Sequence, residues 1–376
     1  MRRLRILIVF GTRPEAIKLY PVIRALAAQN SGFEAHVCCT GQHVELISDV
    51  SSFLDLSIDS NLGVMKPDQS LSSLAGALMT ALDRVIVEFQ PDVTLVQGDT
   101  TTAFCAGLAS FHRGVPVGHV EAGLRSGNLH SPFPEEMNRR LVDEISRWRF
   151  APTRRSYDEL VKEGRKEGSS IVGNTVVDVI RIARERLGIG SDEDRSKRRR
   201  SRILVTVHRR DNFGDRLQEI CRAIGEISQS RPGTEIIWPL HPNPNVKPVV
   251  EAMLGDTAGV ELCAPLGYEQ MLRTMASVDL AVTDSGGIQE EAPSFLLPVL
   301  VMRDETERPE GIEAGISKLV GARRGEIVEN VSRLLDDDAA YRSMMARSNP
   351  YGDGFASERI LEIVGRDMAG ALRGKA

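Results

Sequence analysis

Short apolar, largely β-branched runs alternate along the chain with longer stretches in which apolar positions recur every three or four residues. The first pattern predicts strands and the second helices. In order the chain reads strand 5–10, helix 14–28, strand 34–39, helix 43–54, helix 71–89, strand 92–97, helix 101–112 and strand 115–119. Helical periodicity returns near 135–146 and 154–163, with a short strand at 170–172. Residues 189–200, IGSDEDRSKRRR, are charged and poor in apolar side chains, and read as an exposed loop. The alternation then restarts with strand 203–207, helix 214–229, strand 234–240, helix 245–254, strand 259–262, helix 268–276, strand 278–283, helix 287–292, strand 298–302 and strand 318–320. A last helix at 356–372 follows the turn-rich NPYGDG, which is expected to carry the chain back to its first half.

Strand–helix alternation of this kind argues for parallel βαβ units with right-handed crossovers. Strands that are apolar throughout, such as Val93 to Val96, suit a sheet covered on both faces. With 376 residues the chain exceeds one ordinary core, so the pattern predicts two doubly wound α/β domains of similar size with a cleft between them. No short-period repeat or low-complexity tract interrupts it.

Composition narrows the function. A hydrophobic fraction of 41%, 26% charged residues and 33 glycines are those of a soluble globular α/β protein. The net charge of -5 offers no basic face to nucleic acid, so a phosphorylated ligand has to be met by individual cations. The cysteines, Cys38, Cys39, Cys105, Cys221 and Cys263, show neither CxxC nor metal-ligand spacing and read as reduced core residues; no metal is expected. The apolar part of MRRLRILIVFGT is too short for a signal peptide, and no run approaches the roughly 18 apolar residues of a membrane span. A cytoplasmic location without membrane partners is expected.

The chemistry sits where predicted strands end. FGTRPEAIKL lacks the GxGxxG spacing of a dinucleotide turn, and offers Arg13 and Lys18 instead. Thr12 and Glu15 form a capping-box pattern with Pro14 in the first turn, so the helix starts at Thr12 and Arg13 adds a bidentate donor to its positive end. VQGDTTT places Asp99 at a strand end, as an N-cap or a site carboxylate. HVEAGLR and SPFPEE add Glu121 and Glu135. With Asp99 these supply candidates for a paired acid and base, against the alternative of ion pairs to Arg125, Arg139 or Arg140, which stays open for Glu136.

In the second half, VHRRDNFG ends a strand with His208 and Arg209, which make a poor core and a good anion site, and His241 occupies the matching end of the next strand. TDSGGIQEEAP is the strongest local signal. Its strand, Ser285-Gly286-Gly287 and helix bring backbone N–H groups and a hydroxyl to a phosphate, while Glu291 can hold ribose hydroxyls and Arg308 adds a cation.

Taken together and in this order, GTRPEAIK, GDTTT, GHVEAGLRSG, SPFPEE, HRR, HPNPNV, TDSGGIQEEAPS, PVLVMRDETERPE and NPYGDG resemble the bacterial non-hydrolysing UDP-N-acetylglucosamine 2-epimerases over nearly the whole chain. The resemblance implies a GT-B-like fold: two Rossmann-like domains facing a central cleft, the N-terminal, sugar-side domain comprising 1–172 plus 356–376 and the C-terminal, UDP-binding domain 173–355. It implies a homodimer that interconverts UDP-GlcNAc and UDP-ManNAc for surface polysaccharide. Arg13 then lies on the diphosphate side, Lys18, Asp99, Glu121 and Glu135 around the sugar, and His208 at the diphosphate; Ser285, Gly286, Gly287, Glu291 and Arg308 match the UDP site. Gln42, Glu135, Arg209 and His241 match a second, activating UDP-GlcNAc site, although Val44 and Asp68 stand where regulated members carry arginines. Leu266 and Met271 replace the usual Gln and Phe near the uracil.

The C2 hydrogen of a GlcNAc unit is not next to a carbonyl, so direct deprotonation gives an unstabilised carbanion. Oxidation at C3 by bound NAD would need a dinucleotide turn, and neither GIG at 188–190 nor GDG at 352–354 has the required third glycine or preceding strand. No cofactor is expected. The remaining route is elimination of UDP to 2-acetamidoglucal and re-addition with protonation from the other face. The alternatives are a hydrolysing epimerase that releases ManNAc and UDP, a GT-B glycosyltransferase, and a nucleotide-sugar sensor.

Overall fold

A computed structural model of the chain describes residues 2–28, 32–41, 44–66, 68–190, 201–345 and 348–373. Gln42, the start of the helix expected at 43, and the predicted loop from residue 191 on lie outside the described residues.

The chain runs β1 (Leu4–Phe10), α1 (Arg13–Ala27), β2 (Phe33–Cys39), α2 (Val44–Leu54), β3 (Ser60–Asn61), α3 (Leu71–Phe89), β4 (Val93–Gln97), α4 (Thr101–His112), β5 (Val117–Val120), α5 (Glu135–Ile145), β6 (Trp148–Ala151), α6 (Arg154–Lys162), β7 (Ser169–Ile171) and α7 (Thr175–Leu187). There follow β8 (Arg202–Thr206), α8 (Asp215–Ser230), β9 (Glu235–Pro239), α9 (Lys247–Leu254), β10 (Val260–Cys263), α10 (Tyr268–Ser277), β11 (Leu280–Thr283), α11 (Gly286–Glu291), β12 (Val299–Val301), α12 (Pro309–Glu313), β13 (Ser317–Leu319), α13 (Arg324–Asp336), α14 (Asp338–Ser343) and α15 (Ala356–Arg373).

The strands form two parallel sheets, β3-β2-β1-β4-β5-β6-β7 and β10-β9-β8-β11-β12-β13. Both follow the 3-2-1-4-5-6 order of dinucleotide-binding sheets, in which the order reverses once and leaves a crevice at the strands' C-terminal ends. The reversal falls at β1/β4 in the first sheet and at β8/β11 in the second. Central strands are buried on both faces: Ile6 to Phe10, all of β4, and Leu280 to Val282 are sealed from solvent. Four of the cysteines are buried and Cys263 half-buried, all of them free thiols.

The chain divides into two compact units, Met1–Ala183 with Tyr351–Ala376, and Arg184–Pro350. The expectation drawn from the resemblance placed the divisions at 172/173 and 355/356. The difference has a local cause in α7, to which the pattern assigned no element. Asp178 on α7 is buried and accepts hydrogen bonds from Ala356 N (3.2 Å), Ser357 N (2.8 Å) and Ser357 Oγ (2.6 Å), so it caps the start of α15. Val176 and Val177 pack with Tyr351.

Other elements also lie beyond the predicted set: β3, β6, α12, α13 and α14. β3 has two residues and β6 four, too short for a period to show. α13 has Arg323 as its N-cap, whose side chain makes no capping hydrogen bond, so the usual start signal is missing.

Candidate active site

In the first unit β1, β4 and β5 are neighbours, so the turns after them lie side by side at one sheet edge. α1 starts as expected from Thr12, and Glu15 folds back over the cap. Its carboxylate accepts from Gly11 N (3.1 Å), Thr12 N (2.8 Å), Thr12 Oγ1 (2.7 Å) and Thr100 Oγ1 (2.7 Å). Thr100 is itself the N-cap of α4, accepting from Ala103 N at 3.0 Å. One buried carboxylate therefore ties together the turns that carry Arg13 and Asp99, across the reversal in strand order. Burial pushes the Glu15 carboxyl up to about 7, against the opposing pull of those hydrogen bonds.

Lys18 and Glu121, both nearly buried, form an ion pair. Glu121 follows β5 with φ +70°, a left-handed backbone that a residue with a Cβ seldom adopts. Strain of this kind, held by surrounding structure, is characteristic of functional turns. Asp99 pairs with Arg139, whose Nε lies 3.0 Å from the carboxylate, and Asn138 Nδ2 donates to the Asp99 carbonyl at 2.9 Å.

Adjacent Glu135 and Glu136 have opposite fates. Glu136 is fully buried and neutralised by Arg139 (3.2 Å) and Arg140 (3.1 Å), a structural ion-pair centre. Glu135 keeps a buried Oε2 with no hydrogen-bond partner among the described residues. Arg13, half-buried, makes no hydrogen bond or ion pair among them either.

Beneath these turns lies a buried relay. His119 Nε2 meets the carbonyl of Gly98 at 2.8 Å and its Nδ1 meets Asp143 at 2.7 Å. Asp143 also accepts from Gly123 N (3.3 Å) and Arg125 Nη2 (2.7 Å). Burial alone would raise the Asp143 carboxyl, but His119 and Arg125 overcome it and hold it below the usual range. His119 thus braces the turns that hold Asp99 and Glu121.

In the second unit the reversal brings together the ends of β8 and β11. Asp284, fully buried, accepts from His208 N (3.1 Å), Arg209 N (2.9 Å) and Asn212 Nδ2 (3.0 Å), and its Oδ1 lies 3.0 Å from His208 Nδ1. Burial raises the Asp284 carboxyl, yet His208 and these donors bring it below the usual range. The His241 ring lies 6.2 Å from that of His208, and burial followed by the neighbouring His208 lowers its basicity. Arg209 has a buried Nε without a partner among the described residues, and its Nη2 is 3.9 Å from Glu307.

Ser285 caps α11, with Ile288 N 3.5 Å from its Oγ. Arg308 lies over Gly286, where a Cβ would come within 3.2 Å of the guanidinium carbon. Glu290 accepts from Arg308 Nε at 2.9 Å and Glu307 from Arg308 Nη1 at 3.0 Å. At Gly287 an added Cβ would lie 3.8 Å from Ser285 Oγ, an ordinary contact, and Glu291 is buried.

Within the first unit, then, Lys18 meets Glu121, while Asp99 meets Arg139 rather than another carboxylate. Within the second, His208 and His241 are neighbours and Arg308 stands over Gly286. Gln42 lies outside the described residues. The motif reading named Arg139 as a possible ion-pair partner but passed over Asp143, Asn212, Asp284 and Glu290, because pairing across 18 to 76 positions leaves no local spacing to read. Asp284 carried one usable signal, a carboxylate at the end of an apolar strand just before Ser-Gly-Gly.

Two parallel sheets wound in this order, each with ionisable side chains at the reversal, define a protein of two Rossmann-like domains in the GT-B-like architecture. A family model described as UDP-N-acetylglucosamine 2-epimerase matches residues 24–365. UDP-N-acetylglucosamine 2-epimerase of Escherichia coli K12 is 44% identical over 371 residues, covering 96% of this chain and 98% of that protein. The crystal structure of UDP-GlcNAc 2-epimerase from Neisseria meningitidis bound to UDP-GlcNAc matches with TM-score 0.89 at 41% identity, over 96% of this chain and 100% of that one. The enzyme from Methanocaldococcus jannaschii, in complex with UDP-GlcNAc and UDP, matches with TM-score 0.80 at 32% identity, over 96% and 100%. The chain belongs to the UDP-N-acetylglucosamine 2-epimerase family.

Proposed function

We propose that the protein interconverts UDP-GlcNAc and UDP-ManNAc without net hydrolysis, eliminating UDP to give 2-acetamidoglucal and adding it back, and so supplies ManNAc units for bacterial surface polysaccharide. The observation that carries this reading is the unequal pairing of the first unit's carboxylates: Glu121 pairs with Lys18 and Asp99 with Arg139, while Glu135 keeps a buried oxygen with no partner among the described residues. Epimerisation through a planar glycal requires proton transfer on both faces of C2, hence two acid/base groups in different environments. Asp99, Glu121 and Glu135 are the groups we assign to those transfers, with Lys18 beside the sugar.

As the C1–O bond breaks, the electron pair stays on the diphosphate, and charge grows there. Cations aimed at that oxygen lower the barrier. Arg13, His208 and Arg308 take this part in our reading; Ser285, Gly286 and Gly287 hold the diphosphate and Glu291 the ribose. Gln42, Arg209 and His241 remain candidates for a second nucleotide-sugar site. The protein acts as a cytoplasmic homodimer in this reading; among the described residues no helix is long and apolar enough to cross a membrane.

The test is incubation with UDP-GlcNAc in D2O, followed by NMR. The reading expects deuterium at C2 in both epimers and a steady UDP-GlcNAc/UDP-ManNAc mixture. ManNAc and UDP as sole products would make it a hydrolysing enzyme, and turnover only with an added acceptor would make it a transferase.

A further inference from the structure

Asp284 has no role in the functional reading above, yet its carboxylate is densely engaged. It is sealed from solvent, and its two oxygens receive the backbone N–H groups of His208 and Arg209, the Asn212 amide and His208 Nδ1. Asn212 is itself fixed by donating to the Met302 carbonyl at 2.9 Å. An ionised carboxylate can only accept, so the hydrogen between it and His208 belongs to the ring. Nδ1 is then the N–H nitrogen, and the ring geometry turns Nε2 away from Asp284. The His208 side chain is 37% exposed, and among the described residues Nε2 has no hydrogen-bond partner.

We propose that Asp284 is a positioning residue of the epimerase reaction: by holding the His208 imidazolium through Nδ1–H across the β8/β11 reversal, it aims the opposite N–H, at Nε2, at the departing diphosphate. The logic is that of a carboxylate orienting a catalytic histidine, in which the acid sets tautomer and direction and stabilises positive charge on the ring without itself exchanging a proton. A ring clamped in this way meets the growing charge without first reorganising. The inference rests on the epimerase reading, because the anion it places at Nε2 is UDP.

The experiment uses the full-length protein. Asp284→Asn keeps an oxygen for the backbone N–H groups, but its amide N–H faces His208 Nδ1, so the ring hydrogen must move to Nε2. In 15N NMR at a pH where the ring is neutral, the wild type is expected to show the Nδ1–H tautomer and Asp284→Asn the Nε2–H tautomer. Its kcat is expected to fall by about 100-fold or more, with KM changed only a few-fold. Made in a His208→Asn background, Asp284→Asn is expected to cost little further, since two residues acting as one unit are not additive. Asn212→Ala controls for loop bracing, and thermal unfolding verifies that each variant folds.

The Nε2–H tautomer in the wild type would overturn the proposal. So would an equal cost of Asp284→Asn with and without His208, or a kcat loss reproduced by Asn212→Ala with the ring tautomer unchanged. If the wild type gives no C2 exchange, the epimerase reading fails and takes the diphosphate role with it, while the tautomer measurement still decides whether the dyad exists.

Discussion

Glu15 makes a quantitative demand on the first unit. Its carboxyl is pushed from an ordinary value of 4.5 to about 7 by burial, with the hydroxyls of Thr12 and Thr100 and the amides of Gly11 and Thr12 pulling the other way. The folded state therefore holds a proton that the unfolded chain has released throughout the window between those values. Folding stability must fall as pH rises from about 4.5 to about 7 and level off above it. At about 1.4 kcal/mol per pH unit, integration over pH 5 to 8 gives a loss of about 2–3 kcal/mol from this group alone. Glu15→Gln removes the titration while preserving shape. The Gln oxygen can take the Gly11 and Thr12 amides, and its NH2 can donate to the Thr100 hydroxyl, which also caps Ala103.

The assay is equilibrium urea unfolding at pH 5 and pH 8. The chain has two tryptophans, Trp148 in the first unit and Trp238 in the second. A Trp238→Phe background, made in both proteins, therefore leaves fluorescence that reports on the first unit. The variant's stability relative to the parent is expected to rise by about 2–3 kcal/mol between pH 5 and pH 8. A difference that stays flat, or that moves the other way, would show that Glu15 titrates at an ordinary value and that its burial has been compensated.

Further outcomes follow from the same geometry. Asp178→Ala leaves Ala356 N and Ser357 N without the carboxylate that accepts from them, while Ser357 Oγ still has Glu358 as acceptor, and should cost about 1–3 kcal/mol in the same unfolding assay, with C2 exchange retained at permissive temperature. Asp99→Asn should abolish C2 deuterium exchange and leave UDP affinity by calorimetry within a few-fold; a lost affinity would move Asp99 out of the proton-transfer step. Arg13→Ala should lower kcat by about 100-fold while changing UDP affinity far less, because the charge it meets develops only as the bond breaks. Gly286→Ala puts a Cβ within 3.2 Å of the Arg308 guanidinium and should weaken UDP binding by about tenfold, measured by calorimetry.

What could be read along the chain was whatever depends on neighbours in sequence. The alternation of apolar period and turn chemistry marks most strands and the helices that follow them, because a strand in a doubly covered sheet must be apolar throughout and a crossover helix must keep one apolar stripe. The cap at Thr12, the Ser-Gly-Gly start of α11 and the carboxylates after β4 and β5 are local in the same sense. β3, β6 and α13 escaped for the converse reason: two- and four-residue strands carry no period, and the N-cap side chain of α13 makes no capping hydrogen bond.

Tertiary structure decided the partners. The pairing of Glu136 with Arg139 and Arg140, three and four residues on along α5, was within reach of local spacing, but nothing within SPFPEE shows that Glu135 keeps a buried oxygen without a partner among the described residues. Nothing near Glu15 announces Thr100, nor near His208 announces Asp284; each pair is joined only because the strand order reverses and sets two distant turns side by side. Local sequence determined which side chains stand at the strand ends. Only the fold decided which of those charges are neutralised, and desolvation makes that choice govern what each group can do.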